Sequence, residues 1–399
     1  MRNIICVTLA NLLLINLFMS NPVQAQNTQT LVRGNNGFSL ELYKKLDSKE
    51  KNIFFSPISI TTAFAMVYLG AKNETAKEIS KTLNYNMPAD STSMAFNELT
   101  KQMNQSAETS KITLEIANML WGQKGSKLLK SYLTNCKKYF GASLRELDFL
   151  GNSSGSADII NKWVSDKTNN KIKNLVNPAL LKGASLVLTN AVYFYGNWDI
   201  KFKKDNTRKE KFYISEKNTF DTDMMHQTEK FNYGKFNNYA VLELPYKNKS
   251  MSMFILLPDK INGLNEMEKN LSNDDLENSL NNLEKTKVNI TLPKFKIEYS
   301  TGLSDILSKM GMTSAFGPKA DFSGMTGSKG LFISSVIHKA FIYVNEEGTE
   351  AAAATAIIMT KSMPMPEKTK DFKADHPFMF MIRDNSSGCI LFMGNLLKP

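Results

Sequence analysis

The spacing of apolar residues changes period along the chain. Over residues 36–46 they recur at helical intervals. Ser56-Pro57 then offers an N-cap with proline at the first helical position, and residues 58–69 predict an apolar helix that Gly70 ends. Residues 74–83 and 93–105 predict two more helices. From Lys111 the pattern alternates, and 112–121 reads as a half-buried strand. Helical spacing returns at 128–140 and 157–166. Residues 186–194 are β-branched, aromatic and apolar without interruption, which suits a strand covered on both faces. The second half predicts strands at 212–214, 239–244, 251–257, 288–292, 331–344, 378–382 and 389–393, with a short helix at 303–310. Helices first and strands later predict an α+β fold with large sheets.

One stretch breaks this order. Residues 345–375 carry no convincing core element, which is too long for an ordinary connection. Within it run Glu346, Glu347, Gly348, Thr349, Glu350, Ala351, Ala352, Ala353, Ala354 and Thr355. Alanine favours helix, but Gly348 interrupts, and Thr355, Ile357, Ile358 and Thr360 add strand character. Laid out as a strand, Thr349, Ala351, Ala353, Thr355, Ile357 and Met359 share one face, small or apolar throughout. Glu350 points the other way. Such a segment suits solvent in one state and a sheet in another.

Composition sets the frame. The chain has 399 residues, 42% of them hydrophobic, enough for a large buried core, and neither a linker nor a repeat divides it. Residues 1–25 read as a signal peptide: Arg2 is the positive end, 4–19 are largely apolar, and Val23-Gln24-Ala25 suits cleavage. Export is the expectation, to the extracellular space, or to the periplasm or cell surface if the source is bacterial. The apolar stretch, broken by Asn11 and Asn16, is a poor membrane span. Cys136 and Cys389 are too few and too far apart for a disulfide framework, and Cys389 reads as a core thiol. Three histidines without a metal-binding spacing give no case for metal chemistry or a cofactor. The formal charge of +11 is mostly interleaved with acids. The dense run at 201–211, with Lys203, Lys204, Arg208 and Lys209, reads as solvated surface, and no nucleic-acid partner is expected.

Gly151-Asn-Ser-Ser-Gly155 matches the nucleophile-elbow pattern of serine hydrolases. Clusters of Asn, Ser and Gly also make ordinary turns, and no histidine stands in a matching context. A catalytic Ser153 is therefore disfavoured, and the chain is expected not to be an enzyme.

From about Asn36 to the C-terminus the sequence resembles the serpins. Asn52-Ile-Phe-Phe-Ser-Pro-Ile-Ser-Ile60 is similar to their early signature, and Leu69-Gly-Ala-Lys72 with Thr75 follows it. Ile160-Asn-Lys-Trp-Val164, with Thr168, Asn170, Lys171 and Ile172, resembles their next helix. That match implies a surface loop at 151–155. Thr189-Asn-Ala-Val-Tyr-Phe-Tyr-Gly-Asn-Trp198, Leu244-Pro-Tyr246, Leu292-Pro-Lys-Phe295 and His338-Lys-Ala340 continue the series. Asn345-Glu-Glu-Gly-Thr-Glu-Ala351, His376-Pro-Phe378 and Phe392-Met-Gly394 complete it.

The resemblance implies one domain over 26–399, with three β-sheets, eight or nine helices and an exposed reactive-centre loop at about 346–375. It implies a monomeric, secreted suicide substrate that traps serine endopeptidases, and cysteine endopeptidases as a further class, in a covalent complex. On this reading Glu346 to Thr355 form the hinge, and its small residues match the inhibitory pattern. Ser56, Asn190 and His338 carry over as the shutter, and Trp198 as the breach. Bait lies among Met359, Thr360, Lys361, Ser362 and Met363, with Lys361–Ser362 and Ser362–Met363 as the alternative scissile bonds. The other reading of the same resemblance is a serpin that binds a partner without inhibiting.

Overall fold

The computed structural model describes residues 22–46, 51–141, 144–349 and 368–399. The first part is helical: α1 (Pro22–Lys45), β1 (Phe54–Phe55), α2 (Pro57–Gly70), α3 (Asn73–Thr82) and α4 (Ala89–Ser110). Next come β2 (Thr113–Gln123), α5 (Lys130–Phe140), β3 (Arg145–Leu147), α6 (Ser153–Lys167), α7 (Pro178–Leu181) and β4 (Leu186–Asn197). The chain continues through β5 (Arg208–Ser215), β6 (Asn218–Phe236), β7 (Tyr239–Pro245), β8 (Met251–Pro258), α8 (Leu264–Asn270) and α9 (Asn273–Asn281). β9 (Glu284–Pro293), β10 (Phe295–Gly302), α10 (Ser304–Lys309), α11 (Ser323–Thr326) and β11 (Ile333–Asn345) follow. β12 (Gly348–Thr349), β13 (Lys370–Lys373), β14 (Phe378–Asp384) and β15 (Ile390–Leu396) close the described chain.

The strands make two ladders. One runs β10-β11-β12-β4-β2-β3, with β11 and β4 also paired directly. The other runs β1-β15-β14-β8-β7-β6-β9-β13, with β5 added to β6. The expectation was three sheets and eight or nine helices. The described residues instead give two continuous ladders and eleven α-helices. β6 is the reason for the first difference. Its 19 residues pair with β9 along much of their length, with β5 at one end and β7 at the other. Two smaller sheets are thereby fused. The extra helices include two single turns, α7 and α11.

The six-stranded sheet is covered on both faces, which explains its unbroken apolar runs. Leu186, Leu188, Val192 and Phe194 of β4 face the main core, where α2 packs on β2, β4 and β15. Val187, Ala191 and Tyr193 face a second core under α6, where Trp121 and Trp163 meet edge to face at 5.5 Å. Ser56 starts α2 in extended geometry and its hydroxyl accepts from the Ser59 N–H, with Pro57 at the first helical position. α1 is one continuous helix through the proposed cleavage point at Ala25.

Candidate functional site

The site is the upper end of the β11–β4 seam. These strands pair in parallel from Ile333↔Leu186 to Phe341↔Tyr193. Beyond that point β12 stands between them, antiparallel to both: Thr349 opposes Val344 and Gly196, and Gly348 opposes Asn345 and Asn197. Gly348 and Thr349 thus stand as a two-residue strand between β11 and β4. Gly348 adopts φ +149°, and a Cβ there would lie 2.2 Å from Gly196 O, so only glycine fits. Thr349 is fully buried, and its Oγ1 lies 2.9 Å from Tyr246 Oη.

The entry is braced by Trp198, whose indole stacks on Tyr246 at 4.7 Å and 15°. Trp198 Nε1 donates to Asn345 O (3.0 Å), its backbone N–H donates to Glu347 O (2.9 Å), and Phe202 N–H donates to Glu346 O (3.0 Å). Glu346 and Glu347 are both buried and ion-paired. Glu346 lies 3.1 Å from Lys294 Nζ and accepts from Thr207 Oγ1 at 2.9 Å. Burial alone would raise the Glu346 pKa. Its own backbone N–H, Lys294 and Thr207 outweigh that and hold it below the ordinary value. Glu347 lies 2.6 Å from Lys201 Nζ and 3.7 Å from Lys204 Nζ. The basic run at 201–211 is therefore not merely solvated surface, since part of it neutralises the hinge. Nothing in the local sequence pointed to this, because the partners lie some 150 residues apart.

Lower on the same seam, Ser56, Asn190 and His338 come together. His338, Asn190 and Asn118 face one another across β11, β4 and β2. His338 Nδ1 bonds Asn190 Oδ1, and Nε2 accepts from Ser56 N–H at 3.2 Å. Asn190 Nδ2 bonds Asn118 Oδ1 and Ser59 Oγ, while Ser56 Oγ donates to Leu391 O at 2.7 Å. The imidazole is thus held neutral with its proton on Nδ1, and burial pushes its pKa down to about 3. The sequence reading missed Asn118 and Ser59. Asn118 is in phase with Leu114, Ile116 and Leu120, and an amide on a core-facing strand position demands partners.

The other expected site residues, Glu350, Ala351, Ala352, Ala353, Ala354, Thr355, Met359, Thr360, Lys361, Ser362 and Met363, lie outside the described residues. Ser153 begins α6, and Asn152 Oδ1 caps that helix by accepting from Gly155 N–H at 2.8 Å. The expected surface loop at 151–155 is corrected accordingly: from Ser153 onward it is helix. The histidines serve elsewhere. His376 contacts Asp375 Oδ1 and Pro258 O, His226 contacts Thr291 and Glu210, and His338 holds the seam. Both Cys136 and Cys389 are free and buried, and burial raises both thiol pKa values, that of Cys136 to about 11.

The site thus combines a strand-sized entry into the sheet, a glycine-only position at Gly348 and a polar cluster across the seam. The chain belongs to the serpin family: residues 33–399 match the family model described as "Serpin (serine protease inhibitor)". Human Serpin B4 is 42% identical over 392 residues, covering 93% of this chain and 100% of that protein. Human leukocyte elastase inhibitor is 41% identical over 383 residues, with 93% and 100% covered. The crystal structure of Serpin48 from the insect Tenebrio molitor superposes with a TM-score of 0.83 at 34% identity, covering 93% and 98%. The family so matched is one of protease inhibitors. The expectation of export is corrected against these matches, which are to Serpin B4 and leukocyte elastase inhibitor.

Proposed function

We propose that this chain, as one serpin domain over residues 26–399, is a monomeric suicide-substrate inhibitor of serine endopeptidases. The reactive-centre loop, expected at about 346–375, is assigned to the stretch between β12 and β13, because Lys370–Lys373 pair with β9 and Phe372 is buried, and bait lies between Met359 and Met363. The target's serine Oγ adds to the carbonyl carbon of the bait residue, and the peptide C–N bond breaks. The new N-terminus leaves with a proton, and the bait stays as an ester on the protease. Before water hydrolyses that ester, the residues that follow Thr349 enter between β11 and β4. Each new ladder hydrogen bond contributes roughly 1 kcal/mol.

The observation that carries this reading is the position of Gly348 and Thr349, paired with both β11 and β4 and with Thr349 fully buried. The seam below is closed by the direct parallel pairing of β11 with β4 and by the side-chain bonds of His338 and Asn190, so strand addition replaces one bonded arrangement with another.

The test is incubation with trypsin-, chymotrypsin- and elastase-type proteases followed by denaturing gels. A covalent complex is expected with at least one of them. Sequencing the released C-terminal peptide distinguishes Lys361–Ser362 from Ser362–Met363. Loop cleavage by every protease with no complex would overturn the reading and leave a binding role.

A further inference from the structure

We propose that Lys201, with Lys204 beside it, is a positioning residue for hinge entry. Its ammonium holds the Glu347 carboxylate and so sets where Gly348 and Thr349 join the sheet. The inference rests on the inhibitory reading above and names a part of its machinery.

The geometry is asymmetric. Lys201 Nζ faces Glu347 Oε2 and Lys204 Nζ faces Oε1, one ammonium for each carboxylate oxygen. The Glu347 side chain is only 10% exposed, against 39% for Lys201 and 68% for Lys204. The carboxylate is therefore the buried partner and the one that loses most without its counter-charge. The backbone around it is already fixed by the Trp198 and Phe202 N–H groups. One residue later, Gly348 passes with no lateral slack, because a Cβ would strike Gly196 O. A shift at Glu347 is thus transmitted directly to the register of Thr349 against Val344 and Gly196. A slip of one residue turns Thr349 to the wrong face of the sheet.

Entry of the hinge competes with hydrolysis of the acyl-enzyme. Loss of the clamp slows entry, so more inhibitor is consumed for each protease trapped. First attack on the bait is unaffected, since the bait is more than ten residues further along the chain.

The test compares wild type with Lys201→Ala, Lys201→Arg, Lys201→Glu and the swap Lys201→Glu/Glu347→Lys. In Lys201→Ala the number of inhibitor molecules consumed per trapped protease is expected to rise roughly fivefold, with the rate of loop cleavage unchanged. Lys201→Arg restores the wild-type ratio, Lys201→Glu is worse than alanine, and the swap recovers part of the loss. A wild-type ratio in both Lys201→Ala and Lys201→Glu overturns the proposal. If wild type forms no complex, the inhibitory reading fails separately. Amide exchange at Trp198 and Phe202 then still decides the clamp: faster exchange in Lys201→Ala supports it, and unchanged protection sinks it.

Discussion

His338 and Asn190 stand directly opposite each other on the parallel β11–β4 ladder and are joined by a hydrogen bond from Nδ1 to Oδ1. With Nε2 accepting from Ser56 N–H, the ring has no room for a second proton. The native imidazole pKa falls to about 3 from an ordinary value of 6.5. Below pH 6.5 the unfolded chain therefore binds a proton that the native state refuses. The contribution of His338 to stability is complete above about pH 6.5 and is lost as pH falls towards 3, by up to about 1.4 kcal/mol per pH unit. Denaturant unfolding of wild type and His338→Gln between pH 7.5 and 4 checks this. The variant should show the shallower pH slope, and equal slopes would refute the assignment.

Asn190→Ala leaves the His338 Nδ1–H without a partner in a buried place and deletes the amide's bonds to Asn118 Oδ1 and Ser59 Oγ. A cost of about 1–3 kcal/mol is expected. The seam should also open more readily, seen on native gels as loop insertion or polymerisation during mild heating. Asn118→Ala should act in the same direction. A variant as stable and as monomeric as wild type on heating would mean that the cluster does not hold the strands.

Thr349→Arg places a charge where the native side chain is fully buried and bonded to Tyr246. A buried unpaired charge is costly, so this variant should be cleaved by proteases without trapping them. Thr349→Ser keeps the hydroxyl and should still inhibit. Normal trapping by the arginine variant would show that this face does not insert.

Tyr246→Phe isolates the hydroxyl. It keeps the ring stacked on Trp198 and deletes the bond to Thr349. The thermal midpoint should fall by the equivalent of about 1 kcal/mol. No change would indicate that the hydroxyl adds nothing to hinge docking.

Much of the fold was legible because local and global preferences agree. The Ser56-Pro57 start of α2 and the unbroken apolar run of β4 were readable from residue type alone. β6 was not. Its charged and amide residues on both faces conceal a strand that exists because β5, β7 and β9 supply hydrogen-bond partners. α9 was missed although Ser272 and Asp275 form a capping box at its start. At the site, Ser56, Asn190 and His338 were named through family resemblance. Asn118 was readable from its phase in the strand. Lys201 and Lys204 were not readable, because an ion pair spanning so much chain leaves no periodic mark.

The most direct measurement is thermal unfolding before and after a single cut in the reactive-centre loop. If the freed hinge completes a strand between β11 and β4, the cleaved protein unfolds at a markedly higher temperature than the intact one. A midpoint that stays the same or falls on cleavage, as for an ordinary nicked loop, would contradict insertion and the inhibitory mechanism with it.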